Sequence, residues 1–142
     1  MVASNVLLDA GPLGLATTPN RVGKNADCAR WLQSLLAAGK RVIIPELADY
    51  EIRRELLRAN KTTGFRSSTL SKQHCLPINT AAMRLAAQLW AQARQQGQPT
   101  ANDDSIDGDM ILVAQALSLG DADFVIATTN VGHLSRSAPA AL

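Results

Sequence analysis

Four short apolar runs, Asn5–Leu8 (NVLL), Val42–Ile44 (VII), Leu76–Ile78 (LPI) and Phe124–Ala127 (FVIA), constrain this chain more than any other feature. Each is too short for a buried helix and is rich in Val, Ile and Leu, as interior strands are. Between them lie longer stretches whose apolar residues recur every three to four positions, the helical period. Asn25 is placed to cap a helix to about Ala38, with Cys28, Trp31, Leu32, Leu35 and Leu36 on one face and Gly39 as its stop. Pro45 opens a second, carrying Leu47, Ala48, Ile52, Leu56 and Leu57 and ending near Asn60. Thr80 caps a third through about Gln96, with Met83, Ala86, Ala87 and Trp90 spaced for burial. The segment from Asp109, DMILVAQALSL, makes a fourth, stopped by Gly120. Gly11 and Pro12, just after the first strand, predict a turn, and Lys61 to Lys72 a basic loop. No element is expected beyond about Leu134, where the tail reads SAPAAL.

Strands alternating with amphipathic helices predict an α/β fold with a parallel sheet covered on both faces. In open sheets of this kind ligands bind beyond the carboxyl ends of the strands. Asp9 and Asn130 both follow apolar strands, so both are expected on that edge.

The 142 residues suit one domain over 1–142, and 46% hydrophobic residues are enough to build a core. With only 4% aromatics that core is mostly aliphatic, which favours close packing over an aromatic-lined ligand pocket. No apolar run reaches the ~20 residues that span a bilayer, and MVASNVLLDAG has no signal-peptide pattern. A cytoplasmic protein without membrane association is the expectation. Cys28 and Cys75 lack neighbouring ligands at zinc spacings, and reduced, partly buried thiols are expected.

A net charge of +2 hides an asymmetry. Arg53, Arg54, Arg58, Lys61, Arg66 and Lys72 crowd one stretch, whereas Asp103, Asp104, Asp107, Asp109, Asp121 and Asp123 crowd another. A basic arm and an acidic cluster suit an enzyme that grips a phosphate backbone and cuts it with bound cations, although two solvated surfaces account for the charges equally well. Phosphodiester hydrolysis gathers negative charge at phosphorus, and Mg²⁺ or Mn²⁺ can neutralise it and activate water. Such hard cations take oxygen ligands, so carboxylates and carboxamides are the side chains to seek. No GxGxxG or GxxxxGK[ST] motif points to a nucleotide-binding enzyme, and no Ser-His-Asp or Cys-His arrangement points to a covalent intermediate.

Four segments carry candidates and together resemble the PIN-domain family. VLLDAGPL around Asp9 looks like the family's first strand and first acid. In VIIPELADYEIRREL, Glu51 stands where those proteins carry a second acid. IDGDMILVAQAL is similar to the helix headed by a third, which is Asp109, with Asp107 two residues earlier. FVIATTNVGHL resembles the closing strand, with Asn130 in the fourth position. The resemblance spans residues 5 to about 134. It implies a three-layer α/β/α sandwich around a parallel sheet of four or five strands, and Mg²⁺- or Mn²⁺-dependent cleavage of RNA.

Asp9, Glu51 and Asp109 would then be the metal ligands, with Asp107 assisting and Asn130 completing the site. Small single-domain members are VapC-like toxins, which implies an antitoxin protein as partner and a homodimer. His133 stands where many members have an acid, which argues for one metal site rather than two and leaves a catalytically inactive PIN-like RNA-binding protein as the rival reading. Each residue also has a plainer role open to it. Asp9 can shape a turn, Asp107 can cap a helix, Asp109 can complement a helix dipole and Glu51 can sit solvated on a charged helix. Asn130 can shape the turn after its strand. Thr128 is placed to orient a neighbouring carboxylate, and the basic stretch to hold phosphates or an acidic partner segment.

Overall fold

The structure, a computed structural model, describes residues 3–17, 23–60, 75–97, 107–120, 123–129, 134 and 139–141. Five parallel strands form one sheet in the order β3-β2-β1-β4-β5, with β1 Asn5–Leu8, β2 Arg41–Pro45, β3 Cys75–Leu76, β4 Phe124–Ala127 and β5 Ala140–Ala141. The described helices are α1 Ala10–Thr17, α2 Lys24–Ala37, α3 Glu46–Arg58, α4 Thr80–Gln95 and α5 Gly108–Leu117. Leu7 is in register with Ile43 of β2 and Ile126 of β4, so β1 is hydrogen-bonded on both sides.

The period-two alternation of strand side chains divides the interior into two clusters. Val6, Leu8, Val42, Ile44 and Ala127 face α1 and α2, meeting Leu13, Leu32 and Leu35. Leu7, Ile43, Phe124 and Ile126 face α4 and α5, meeting Ala82, Ala86, Met110 and Val113. Helix α3 serves both layers, with Leu47 in the second cluster and Ala48, Ile52 and Leu56 in the first. The expected three-layer α/β/α sandwich with a parallel sheet of four or five strands is therefore what the chain adopts. Helix α5 is buried from Met110 through Ala116, which explains its nearly unbroken apolar sequence.

Several local expectations need correction. After Asp9 the chain enters α1 rather than a turn. Gly11 and Pro12 occupy its first turn, where backbone N–H groups have no intrahelical partner and a proline costs nothing. The small residues also let α1 sit close. A Cβ on Gly11 would lie 3.1 Å from Thr129 Oγ1, and one on Gly14 3.0 Å from Ile52 Cδ1. Asn25 lies inside α2, whose N-cap is Gly23. Asn79, not Thr80, caps α4, its side chain accepting from Ala82 N at 2.7 Å. Pro45 ends β2 and precedes α3 as its N-cap.

Strand β3 covers Cys75–Leu76 rather than Leu76–Ile78. Strand β5 lies beyond Leu134, where no element was expected. Leu36, Leu57, Met83 and Ala87 are exposed although their spacing suggested burial; on α4 the inward stripe is Ala82, Leu85, Ala86 and Leu89. Cys28 and Cys75 are free thiols, the first half-buried and the second exposed. The basic loop from Lys61 to Lys72 lies outside the described residues. Among the described residues no helix is long and apolar enough to cross a membrane.

Candidate functional site

The strand order turns back on either side of β1: the chain builds β2 and β3 outward on one flank, then returns to lay β4 and β5 on the other. That makes the carboxyl ends of β1 and β4 the switch point, the edge where open parallel sheets bind their ligands. Asp9 stands at the end of β1, and Thr128 at the end of β4.

Asp9 is held from four directions. Its N–H donates to Ala127 O at 2.9 Å, continuing the β1–β4 ladder. Its carbonyl accepts from Leu13 N at 3.1 Å, the first bond of α1, so Asp9 is also that helix's N-cap. Carboxylate Oδ1 accepts from Ala10 N at 2.7 Å, and Oδ2 accepts from the hydroxyl of Thr128 at 2.7 Å. Thr128 is fully buried, which fixes its hydroxyl on that carboxylate. The orienting role expected of Thr128 is thus realised in the geometry.

Glu51 comes from the second turn of α3 and is half-buried. Burial pushes its carboxyl above the ordinary value and the charge of Asp9 pushes it further; Arg54 draws it back, and Asp109 adds a smaller upward push. Asp9 and Asp109 thus lie near enough to act on the charge of Glu51, with Asp109 half-buried in the first turn of α5. Asp107 is buried, and Oδ1 accepts from Met110 N at 3.2 Å as the cap of α5, the plainer of its two expected roles. Asn130 and His133 lie outside the described residues.

Gln115 went unremarked in the sequence, being one polar letter in an apolar run. It is 1% exposed; its Oε1 accepts from Leu47 N at 3.4 Å and its Nε2 donates to Leu76 O at 2.8 Å. It thereby ties α5 to the start of α3 and to β3, and with them the separation of Glu51 and Asp109. Glu46 adds a second tie, accepting from Ile78 N at 2.7 Å. A cavity of about 380 Å³ adjoins β4's end, walled by Pro12, Leu15, Cys28, Trp31, Ala127 and Thr129. Its one aromatic wall agrees with the scarcity of such residues.

Carboxylates alone make a hard, all-oxygen donor set, and their mutual repulsion at Glu51 is what a divalent cation relieves. In donor chemistry the residues fit Mg²⁺ or Mn²⁺. Among the described residues no three Asp, Glu, His or Cys side chains already stand close enough to hold an ion, so binding requires the carboxylates to draw inward.

No protein-family model and no curated protein matches the sequence. Solved structures do match its fold. VapBC2 from Rickettsia felis, crystallised with a DNA fragment from its promoter, superposes with a TM-score of 0.71 at 12% identity, covering 96% of this chain and 97% of the other. FitAcB from Neisseria gonorrhoeae gives 0.67 at 18% identity over 95% of each chain. VapBC-1 from nontypeable Haemophilus influenzae gives 0.66 at 16% identity over 96% of each. Sequence motifs, strand order and these superpositions agree: the chain has a PIN-like, VapC-like α/β/α fold.

Proposed function

We propose that the protein is a divalent-metal-dependent ribonuclease and the toxin of a toxin–antitoxin pair, acting as a homodimer in the cytoplasm. What supports the reading is Asp9 at the carboxyl end of β1, its carboxylate oriented by Thr128, together with the charges of Asp9 and Asp109 that both act on the half-buried Glu51 carboxyl. A bound Mg²⁺ or Mn²⁺ would supply an activated water and charge neutralisation at phosphorus. Asp9 and Asp109 would be the first ligands and Glu51 the third, with Asp107 assisting and Asn130, from its place in the sequence, completing the set. Thr128 holds Asp9 in one rotamer, so the carboxylate is oriented before any ion arrives. The toxin role rests on the fold shared with the VapBC and FitAcB structures, and an antitoxin protein is the partner it implies.

The rival reading is an inactive PIN-like RNA-binding protein, and the open spacing of the carboxylates favours it. One assay separates them: purified protein is incubated with total RNA and Mn²⁺ beside Asp9→Asn. Cleavage by the wild type alone is the expected result. No cleavage, or equal cleavage by both proteins, overturns the assignment to this site. For the toxin role, induced expression without a partner is expected to arrest growth; unaffected growth removes it.

A further inference from the structure

The basic stretch of α3 holds three described arginines, and the structure treats them differently. Arg53 is spent on its own helix, Nε donating to Asp49 Oδ2 at 2.8 Å and an Nη to Oδ1 at 3.1 Å. Arg58 is likewise committed, both Nε and an Nη donating to Glu55 Oε2 at 3.0 and 2.8 Å. Arg54 lies instead over the ring of Tyr50, 5.3 Å from its centroid. Among the described residues no carboxylate lies within ion-pair distance of it. Tyr50 is 56% exposed and Arg54 is exposed.

Side chains on a helix lean toward its N-terminus. Helix α3 begins at the carboxyl end of β2, so a guanidinium reaching back from position 54 to the ring at 50 points toward the carboxyl edge of the sheet. It passes within one turn of Glu51 and acts on that carboxylate electrostatically. An arginine held over an aromatic ring by cation–π attraction spends no hydrogen bond on a carboxylate, so its N–H groups are available to an anion.

We propose that Arg54, held on the Tyr50 ring beside Glu51, binds a backbone phosphate of the RNA next to the scissile one, whereas Arg53 and Arg58 do not contact the nucleic acid. The inference rests on RNA as the substrate of the acidic centre. Arg54 is thus a positioning residue: it sets where the chain lies across the carboxylates and takes no part in the bond-breaking step.

The test titrates a labelled single-stranded RNA, without divalent metal, into wild type, Arg54→Ala, Arg54→Lys, Arg53→Ala and Arg58→Ala at several salt concentrations. Arg54→Ala is expected to weaken binding about tenfold and to lower the slope of log affinity against log salt by about 0.7. Arg54→Lys keeps most of the slope, and the other two variants stay within about twofold of wild type. In the Mn²⁺ cleavage assay the loss appears in KM, with kcat little changed. Equal weakening by all three alanine variants, or none by Arg54→Ala, overturns the proposal. So does a loss confined to a parallel titration with polyglutamate, which would make Arg54 a contact for an acidic peptide. Failure of the ribonuclease reading looks different, as cleavage independent of Asp9 with the Arg54 binding loss still present.

Discussion

The two ends of the central strands treat their acids in opposite ways. At the amino end, Ser4 N donates to Asp123 Oδ2 at 3.1 Å, Asn5 donates to Asp123 O through N at 3.2 Å and Nδ2 at 2.9 Å, and Arg41 N donates to Ser4 O at 2.8 Å. Hydrogen bonds from the Ser4 side chain and backbone hold the Asp123 carboxyl below its ordinary value, with Lys40 adding to the effect. At the carboxyl end, burial and the neighbouring acids hold Glu51 above its own. The protein favours the charged form of the Asp123 carboxyl at one end and disfavours that of Glu51 at the other. An acid stabilised in its charged form is already satisfied where it stands, whereas an acid raised by burial and by neighbouring like charges marks a candidate site.

The comparison breaks most directly by removing one charge at each end. Asp9→Asn is expected to lower Mn²⁺-dependent cleavage by on the order of a hundredfold or more, since it removes a ligand oxygen's charge. Asp123→Asn leaves cleavage within about twofold. Comparable losses from the two would show that the carboxyl end has no special role. Thr128→Val, which frees the Asp9 carboxylate to rotate, is expected to cost about tenfold, with the loss appearing as weaker metal affinity.

Metal binding sharpens the same contrast without needing turnover. Mn²⁺ at a hundredfold excess over its dissociation constant stabilises a one-site protein by about 2.7 kcal/mol, which thermal denaturation reads as a rise in Tm. Wild type and Asp123→Asn are expected to show the shift, and Asp9→Asn to lose most of it. An undiminished shift in Asp9→Asn would place the ion elsewhere.

The carboxyl end was also the more legible of the two in the sequence. Asp9 and Asp109 announce themselves by position, one directly after an apolar strand and one at the head of an apolar helix. Strand boundaries for β4 and the α/β/α layering followed from periodicity alone. Hidden features were those set by tertiary contact. Helix α1 reads as a turn because AGPLGLAT has poor helical propensity, and its packing on α3 and Thr129 overrides that. Gln115 sits unmarked in an apolar run, and its two hydrogen bonds span residues 47 and 76, which no local pattern connects. The three arginines of α3 look alike in sequence; only their partners sort them.

The smallest effects expected are in pH dependence, and their signs oppose each other. Glu51 has a folded pKa raised above its ordinary 4.5, so the native state holds its proton more tightly than the unfolded chain. Its favourable contribution is present at low pH and lost as pH rises through the raised value. Metal-free Glu51→Gln is therefore expected to be slightly more stable than wild type at neutral pH, by roughly 2 °C in Tm for a half-exposed group. That advantage disappears below about pH 4.

Asp123 is depressed below its ordinary 3.8, so its contribution is present above that value and lost as pH falls through the lowered one. Asp123→Asn accordingly loses a little stability at neutral pH and none in strong acid. Differential melting curves of the two variants against wild type, recorded from pH 3 to 8 without metal, should slope in opposite directions. Saturating Mn²⁺ should alter the Glu51→Gln difference curve alone, as the proposed cation site at that end of the sheet requires. Parallel curves for the two variants would mean that the acids at the two ends are electrostatically alike, and the contrast between them would fall.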